Sequence, residues 1–395
     1  MLNNFNKAAG LPPTLRTSFT DPGLPAIRGE WHFVDPNAVN RTSGAFTNIY
    51  DAYAACVDER GDGICLVSSG NSTAETTSYM TYPLDWVKEG ITIYGVCAPT
   101  RMYQRARIAS KAVTSGAITT LAFPTTTTMT DSDSGFITAG FVVGQTIVID
   151  TTSNTNDGNV IITAVTAGTI TCGASTFTPE TAAAAGSSTL TNYLSYLIDF
   201  QASNIYCANF SIGNWLSTAQ DIGCVKITGA RMAFENVHFV GAGHATPGAV
   251  ADTPSDVELN GAEEINFYNC TFGTDSVAKE DSNGEVKIDG GCWRIGFEGC
   301  AFISQSSDSG KSAVRSVDNA SFSGLMHFKA CEFLNWNTNG IGAIDDVFGG
   351  TAATSGQYSV TPDCTCVGYT GWGGSAFVAG AAAAASGAGQ IATEE

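Results

Sequence analysis

The chain has 395 residues, 43% hydrophobic and only 14% charged, and its 18 basic against 37 acidic side chains leave a net charge of −19. That balance argues against a nucleic-acid surface, whose footprint is basic, and no apolar run reaches the roughly 18 residues of a membrane-spanning helix. The length allows one elongated domain with an insertion, or two to three compact ones, and 44 glycines suit a turn-rich all-β protein.

Residues 1–28 are punctuated by Pro12-Pro13, Pro22-Gly23 and Pro25. Met1 to Gly10 lacks an apolar core, so no classical signal peptide is expected. Lys7, Arg16 and Arg28 against Asp21 give this segment +2, which leaves −21 on the remainder. A basic arm on an acidic body predicts docking onto another protein, with a disordered terminus as the alternative.

Residues 29–112 open as strand, helix, strand. The pieces are Trp31–Asp35, then Phe46–Cys56 with Ile49, Tyr53 and Cys56 at helical spacing, then Gly61–Gly70. Ile91–Gly95 reads as a further strand. The helix start Thr47–Ala52 and the Gly-Asp-x-Ile-x-Leu-Val strand closing at Gly70 resemble the entry segment of right-handed, pectate-lyase-like β-helix proteins. The resemblance implies a strand and short helix that cap the coil, whose open end would otherwise expose strand edges.

Residues 113–190 are Thr- and Ala-rich, with strands expected at Phe141–Ile149, Asn159–Val165 and Thr169–Cys172, and a hairpin turn at Asn156-Asp157-Gly158. Ser134-Gly135-Phe136, Gly140–Ile147, Asn156-Asp157-Gly158 with Ile161–Val165, and Phe177 with Glu180 resemble a small β module common in tailed-phage virion proteins. The resemblance covers about 50 residues and carries no catalytic residue. It implies a small antiparallel β domain inserted between turns of the coil.

Residues 191–370 carry a repeat. Its copies are Phe234–Phe239, Phe267–Phe272, Phe297–Phe302 and Phe328–Phe333, with a weaker one at Ile205–Phe210. A period near thirty residues means stacked units. Within each copy, apolar residues at the fourth and sixth places alternate as in a strand. The first and fourth are three apart, which requires a bend at the third place. There stand Asn236, Asn269 and Gly299, residues tolerant of left-handed backbone, whereas Cys207 and Ala330 depart from the pattern. A further alternating strand precedes three copies, at Val225–Gly229, Val257–Gly261 and Val286–Gly290. Three short strands per unit predict a right-handed parallel β-helix. Its core would hold a ladder of Val237, Cys270, Cys300 and Cys331 and another of Phe210, Phe239, Phe272, Phe302 and Phe333, each Phe contributing roughly 1.5–3 kcal/mol. The ladder cysteines are expected as thiols, because in-register parallel strands suit disulfide torsion poorly. The tail 371–395 is Gly- and Ala-rich and reads as an arm or terminal strand.

Little in the chain points to chemistry. Outward positions would be Lys226, Glu258 and Lys287 on the first strand, Glu235, Tyr268, Glu298 and Lys329 on the second, and His238, Thr271, Ala301 and Glu332 on the third. Glu235 and Glu298 are the nearest approach to a carboxylate pair, and Asp345-Asp346 is another, but neither brings the accompanying His, Arg and Gly pattern expected of pectinase-like families. His244 lies in a loop, and Cys364-Thr-Cys366 could bind metal or cross-link. The loops 241–256, 273–285 and 303–319 leave one corner and would form a face for a partner or glycan. The expectation is therefore an all-β, non-enzymatic bacteriophage virion protein without cofactor or metal: a right-handed parallel β-helix with a capping helix and an inserted antiparallel domain. It would decorate the capsid surface after assembly in the host cytoplasm, with Lys7, Arg16 and Arg28 docking on the major capsid protein and neighbouring copies of itself, a homotrimer being one arrangement. A host-surface glycan is a further candidate partner; no nucleic acid or membrane is expected. The alternatives are a receptor-binding tailspike or polysaccharide-degrading enzyme, and a secreted adhesin.

Overall fold

A computed structural model describes residues 27–36, 44–67, 77–96, 106–174, 176–217, 223–244, 255–279, 284–306, 310–317, 323–336, 346–350, 355–373 and 390–393. Lys7, Arg16 and most of the expected arm lie outside them, as do 245–254, 280–283, 307–309 and 318–319 of the loops expected to form a partner face. Among the described residues no helix is long and apolar enough to cross a membrane.

The chain is a parallel β-helix built, among the described residues, on three sheets of ten, eight and seven strands. A typical rung enters on Val225–Ile227, turns into Ala230–Glu235, bends, and leaves on His238–Ala242. These positions define an entry, a middle and an exit sheet. Successive rungs pair in register, as Phe234 with Phe267, Phe267 with Phe297 and Phe297 with Phe328.

The bends follow from backbone chemistry. Between middle and exit sheets, Asn209, Asn236, Asn269, Gly299 and Ala330 all have φ between 51° and 66°. Asn and Gly tolerate that region and Ala does not, so at Ala330 the fold overrides local preference. Asn236 Nδ2 also donates to Asn209 Oδ1 at 2.8 Å. A second left-handed column, Asn204, Arg231, Glu264 and Arg294, turns the entry sheet into the middle one. Nothing in those charged side chains announced it.

The weak repeat copy starts at Cys207 rather than Ile205. Cys207 pairs with Phe234, and Ile212 pairs with Phe239. Phe210 therefore stands beside the Val237 ladder and does not belong to the Phe239 stack. The misreading came from aligning on Phe210, when the bend residue Asn209 sets the register.

Inside, two phenylalanine stacks run along the coil. Phe267, Phe297 and Phe328 stack at 4.9 and 4.7 Å, and Phe272, Phe302 and Phe333 at 4.8 and 4.5 Å. The stacks meet edge to face, as at Phe239–Phe267. Cys270, Cys300 and Cys331 are free thiols donating to the carbonyls of Phe234, Phe267 and Phe297 at 3.4–3.5 Å. Cys364 extends the row by donating to Phe328 O, and Cys366 pairs with Phe333 in the next strand. Cys364 and Cys366 thus continue the Cys331 and Phe333 rows into the next rung, Cys364 just before the strand and Cys366 within it.

At the N-terminal end, Trp31–Val34 pairs with Gly63–Val67. The helix Ile49–Ala55 is N-capped by Asn48, which accepts from the Asp51 N–H, and it buries Ile49, Ala52 and Tyr53.

A second compact unit comprises residues 81–83 and 110–195. It contains two four-stranded antiparallel sheets around Phe123, Phe136, Phe141, Phe177 and Leu190. The strand expected from Phe141 begins only at Thr146. Phe141 instead follows a short helix closed by left-handed Gly140.

Candidate functional site

At the corner between entry and middle sheets, the left-handed column pushes charged side chains outward on consecutive rungs. Arg231 Nε lies 3.2 Å from Glu264, and Arg294 lies 2.6 Å from Glu264 and 3.7 Å from Glu263. Ile205, Met232, Ala233 and Asn266 complete a groove of about 530 Å³. Trp293, next to Arg294, is 48% exposed, and Tyr268, further along the Asn266 strand, is 39% exposed. Guanidinium and amide donors, carboxylate acceptors and an exposed indole face are the chemistry that holds a polar ring with an apolar side. A mixed-charge, half-exposed setting keeps these groups accessible.

Along the middle sheet the outward row runs Glu235, Tyr268, Glu298, Lys329. Glu235 and Glu298 both pair with Tyr268, so they sit two rungs, roughly 9.6 Å, apart. Each is engaged on its far side, Glu235 by the Tyr206 hydroxyl at 2.5 Å and Glu298 by Lys329 at 2.7 Å.

A closer carboxylate pair lies on the entry sheet. Asp85 and Asp199 are register partners on adjoining rungs. Asp199 is buried and accepts from Gln201 and Thr228, both at 3.1 Å. Asp85 accepts from the Tyr196 hydroxyl at 3.0 Å. Burial pushes the Asp199 carboxyl above its ordinary range and neighbouring Asp85 adds to this, against its two hydrogen bonds and Lys226. One carboxyl held up beside one at the surface is the composition of an acid and its partner. The signal was present in the sequence: Leu84-Asp-Trp86 and Ile198-Asp-Phe200 match the apolar-charged-apolar pattern of Val225-Lys-Ile227. The inserted unit separates the two strands in the chain and hid the match.

The exit sheet overturns the expectation of a solvated outer face. His238, Thr271 and Ala301 are fully buried, and of that row only Glu332 keeps part of its surface. The described ends of the inter-rung loops cover them with ion pairs. Lys279 meets Asp256 at hydrogen-bonding contact, and Lys311 lies 2.6 Å from Glu285, all four side chains being buried. Ser304 donates to Glu285 at 2.7 Å. Burial and the neighbouring Glu285 push Asp256 up to about 7 against the pull of Lys279 and Lys311. Burial likewise pulls Lys311 down. His238 Nε2 meets the Gly273 carbonyl at 2.8 Å, and burial lowers this imidazole to about 4. These loops are pinned by buried charge, which sequence reading missed because Lys279 and Lys311 look like ordinary loop lysines.

Of the other candidates, Arg28 is exposed and donates to the carbonyls of Glu59 and Arg60 in the cap. It belongs to the folded end of the coil. His244 is exposed. Asp346 accepts from Thr370 at 2.8 Å, and Asp345 lies outside the described residues.

No protein-family model and no curated protein matches this chain. Solved structures similar to it include a pectin methylesterase in complex with a hexasaccharide, at 13% identity and a TM-score of 0.44 over 86% of this chain and 80% of that one. Another is the pectin methylesterase PemA from Erwinia chrysanthemi, at 12% identity and a TM-score of 0.38 over 88% and 82%. A third is a tailspike protein from Pseudomonas phage LKA1, at 10% identity and a TM-score of 0.29 over 90% and 64%. One correction follows: two of these three are enzymes built on a β-helix, so the expectation of a non-enzymatic protein does not stand. At such identities the likeness is one of fold alone, and the fold is the right-handed parallel β-helix.

Proposed function

We propose that this is a virion-associated β-helix protein of a tailed phage that engages a host-surface saccharide along the entry–middle corner. The observation that carries this reading is the groove of Arg231, Glu264, Asn266 and Arg294 beside exposed Trp293. The phage setting rests on the likeness of the inserted unit to a virion module. A receptor-facing spike fits the groove better than a capsid decoration protein, because accessible guanidinium, amide and carboxylate groups beside an exposed indole suit a saccharide. Titration of host capsular and lipopolysaccharide fragments against the full chain tests the proposal. Trp293→Ala should weaken binding roughly fivefold, as loss of an aromatic face worth about 1 kcal/mol predicts. Arg294→Ala should weaken it more, since it leaves Glu264 with a single partner. Unchanged affinity in both variants would remove the groove from the account. Release of reducing ends or ester groups from the same glycans shows whether binding leads to cleavage. Imaging of the particle separates tail from head.

A further inference from the structure

The capping end of the coil holds a cluster that the groove does not use. His32 on the first strand, Cys56 at the C-cap of the helix and Asp62 in the turn before Gly63 bring an imidazole nitrogen, a thiol sulfur and a carboxylate oxygen within 4.8 Å of one another. Cys56 and Asp62 are buried. His32 Nε2 is shut off from solvent and has no hydrogen-bond partner. Its nearest charged neighbour, Asp62 Oδ2, is 3.7 Å away, too far for a hydrogen bond. A buried ring nitrogen left unmatched costs free energy unless something occupies it.

We propose that His32, Cys56 and Asp62 form a zinc site that locks the cap. One sulfur, one nitrogen and one oxygen make a donor set that suits zinc, whereas calcium and magnesium take oxygen alone. Separations of this size are what three ligands around one ion of about 2.0–2.3 Å bond length require after small side-chain rotations. Binding releases the Cys56 thiol proton, and thiolate and carboxylate together neutralise the ion. Asp62 is already oriented for the task. Its Oδ1 accepts from the Glu30 N–H at 2.8 Å and from Arg60 Nε at 2.6 Å, and its Oδ2 accepts from the Val57 N–H at 2.7 Å. The Arg60 Nη2 bond to Oδ2 would yield to the ion, and that nitrogen keeps Glu30 at 3.2 Å. The remaining tetrahedral position falls to water on the side where His32 is 12% exposed. Such a site ties strand, helix and turn together at the edge the cap must protect.

The test uses the full chain, stripped with chelator, loaded with zinc and passed through a desalting column. One equivalent of zinc should stay with the wild type, and the melting temperature should rise by about 2–4 °C. Cys56→Ser and His32→Gln should each lose that equivalent and that rise while circular dichroism shows them folded. Equal zinc on wild type and variants, or none on the wild type, would overturn the site. If the variants do not fold, cobalt loading of the wild type decides. A thiolate-to-cobalt charge-transfer band with intense tetrahedral ligand-field bands supports the site, and their absence overturns it.

Discussion

His238 shows how far a side chain's chemistry depends on what lies over it. On an open strand it would titrate near 6.5. Under the loop carrying Lys279 its value falls to about 4, chiefly through burial, with Lys279 and Arg107 adding repulsion and Gly273 O and Asp275 opposing. A depressed folded value means that the unfolded chain binds the proton first. The contribution of His238 is then present above about pH 6.5 and is lost as pH falls through 4. Wild type should lose on the order of 3 kcal/mol between pH 7 and pH 4 from this group, and His238→Gln should lack that slope. Urea midpoints of both proteins at pH 7, 5 and 4 check it, and parallel curves would reject the assignment. Phe297 gives a second test. It stacks on Phe267 and Phe328 at 4.9 and 4.7 Å with no solvent access, so Phe297→Ala should cost about 3–5 kcal/mol, read from the same midpoints.

The element that repeats is the bend, and its two columns obey different rules. Between middle and exit sheets the left-handed place is filled by Asn or Gly except at Ala330. An L-residue there pays about 1–2 kcal/mol, partly offset because Gly loses more entropy on folding. Ala330→Gly should therefore stabilise the protein by about 0.5–1 kcal/mol, and thermal denaturation of the variant measures it. A decrease would show that the Ala330 methyl packs favourably enough to outweigh the strain. The column of Arg231, Glu264 and Arg294 accepts strain at residues with no conformational gift for it. In return it aims three charged side chains into the groove. Strained backbone kept at a candidate binding corner is a pattern functional sites share.

At the scale of the whole molecule, the inserted unit has its own core and its strands pair only with one another among the described residues. Residues 110–195 expressed alone should give dispersed amide resonances and a cooperative melt. A chain without a cooperative transition would show that the unit depends on the coil. The rungs, in contrast, bury their faces only against neighbours, so single rungs are not expected to fold in isolation.

The sequence by itself determined the coil. Side-chain alternation, the Phe and Cys spacing and the Asn or Gly at the bend are local features, and in-register stacking turns each into a ladder without further information. It also marked the capping helix and the inserted unit, through helical spacing at Ile49, Tyr53 and Cys56 and a hairpin signal at Asn156–Gly158. Only the tertiary structure decided what the outer faces do. The register at Cys207 depended on Asn209 pairing with Asn236, a contact between rungs. Asp85 met Asp199 as a register partner on strands far apart in the chain, and no local pattern measures that separation. His238 became buried because loops fold back over the exit sheet, and Lys279 and Lys311 became core residues with it. Strand geometry is fixed by near neighbours in the chain, whereas burial and charge pairing are fixed by neighbours in space, and chemistry follows the second.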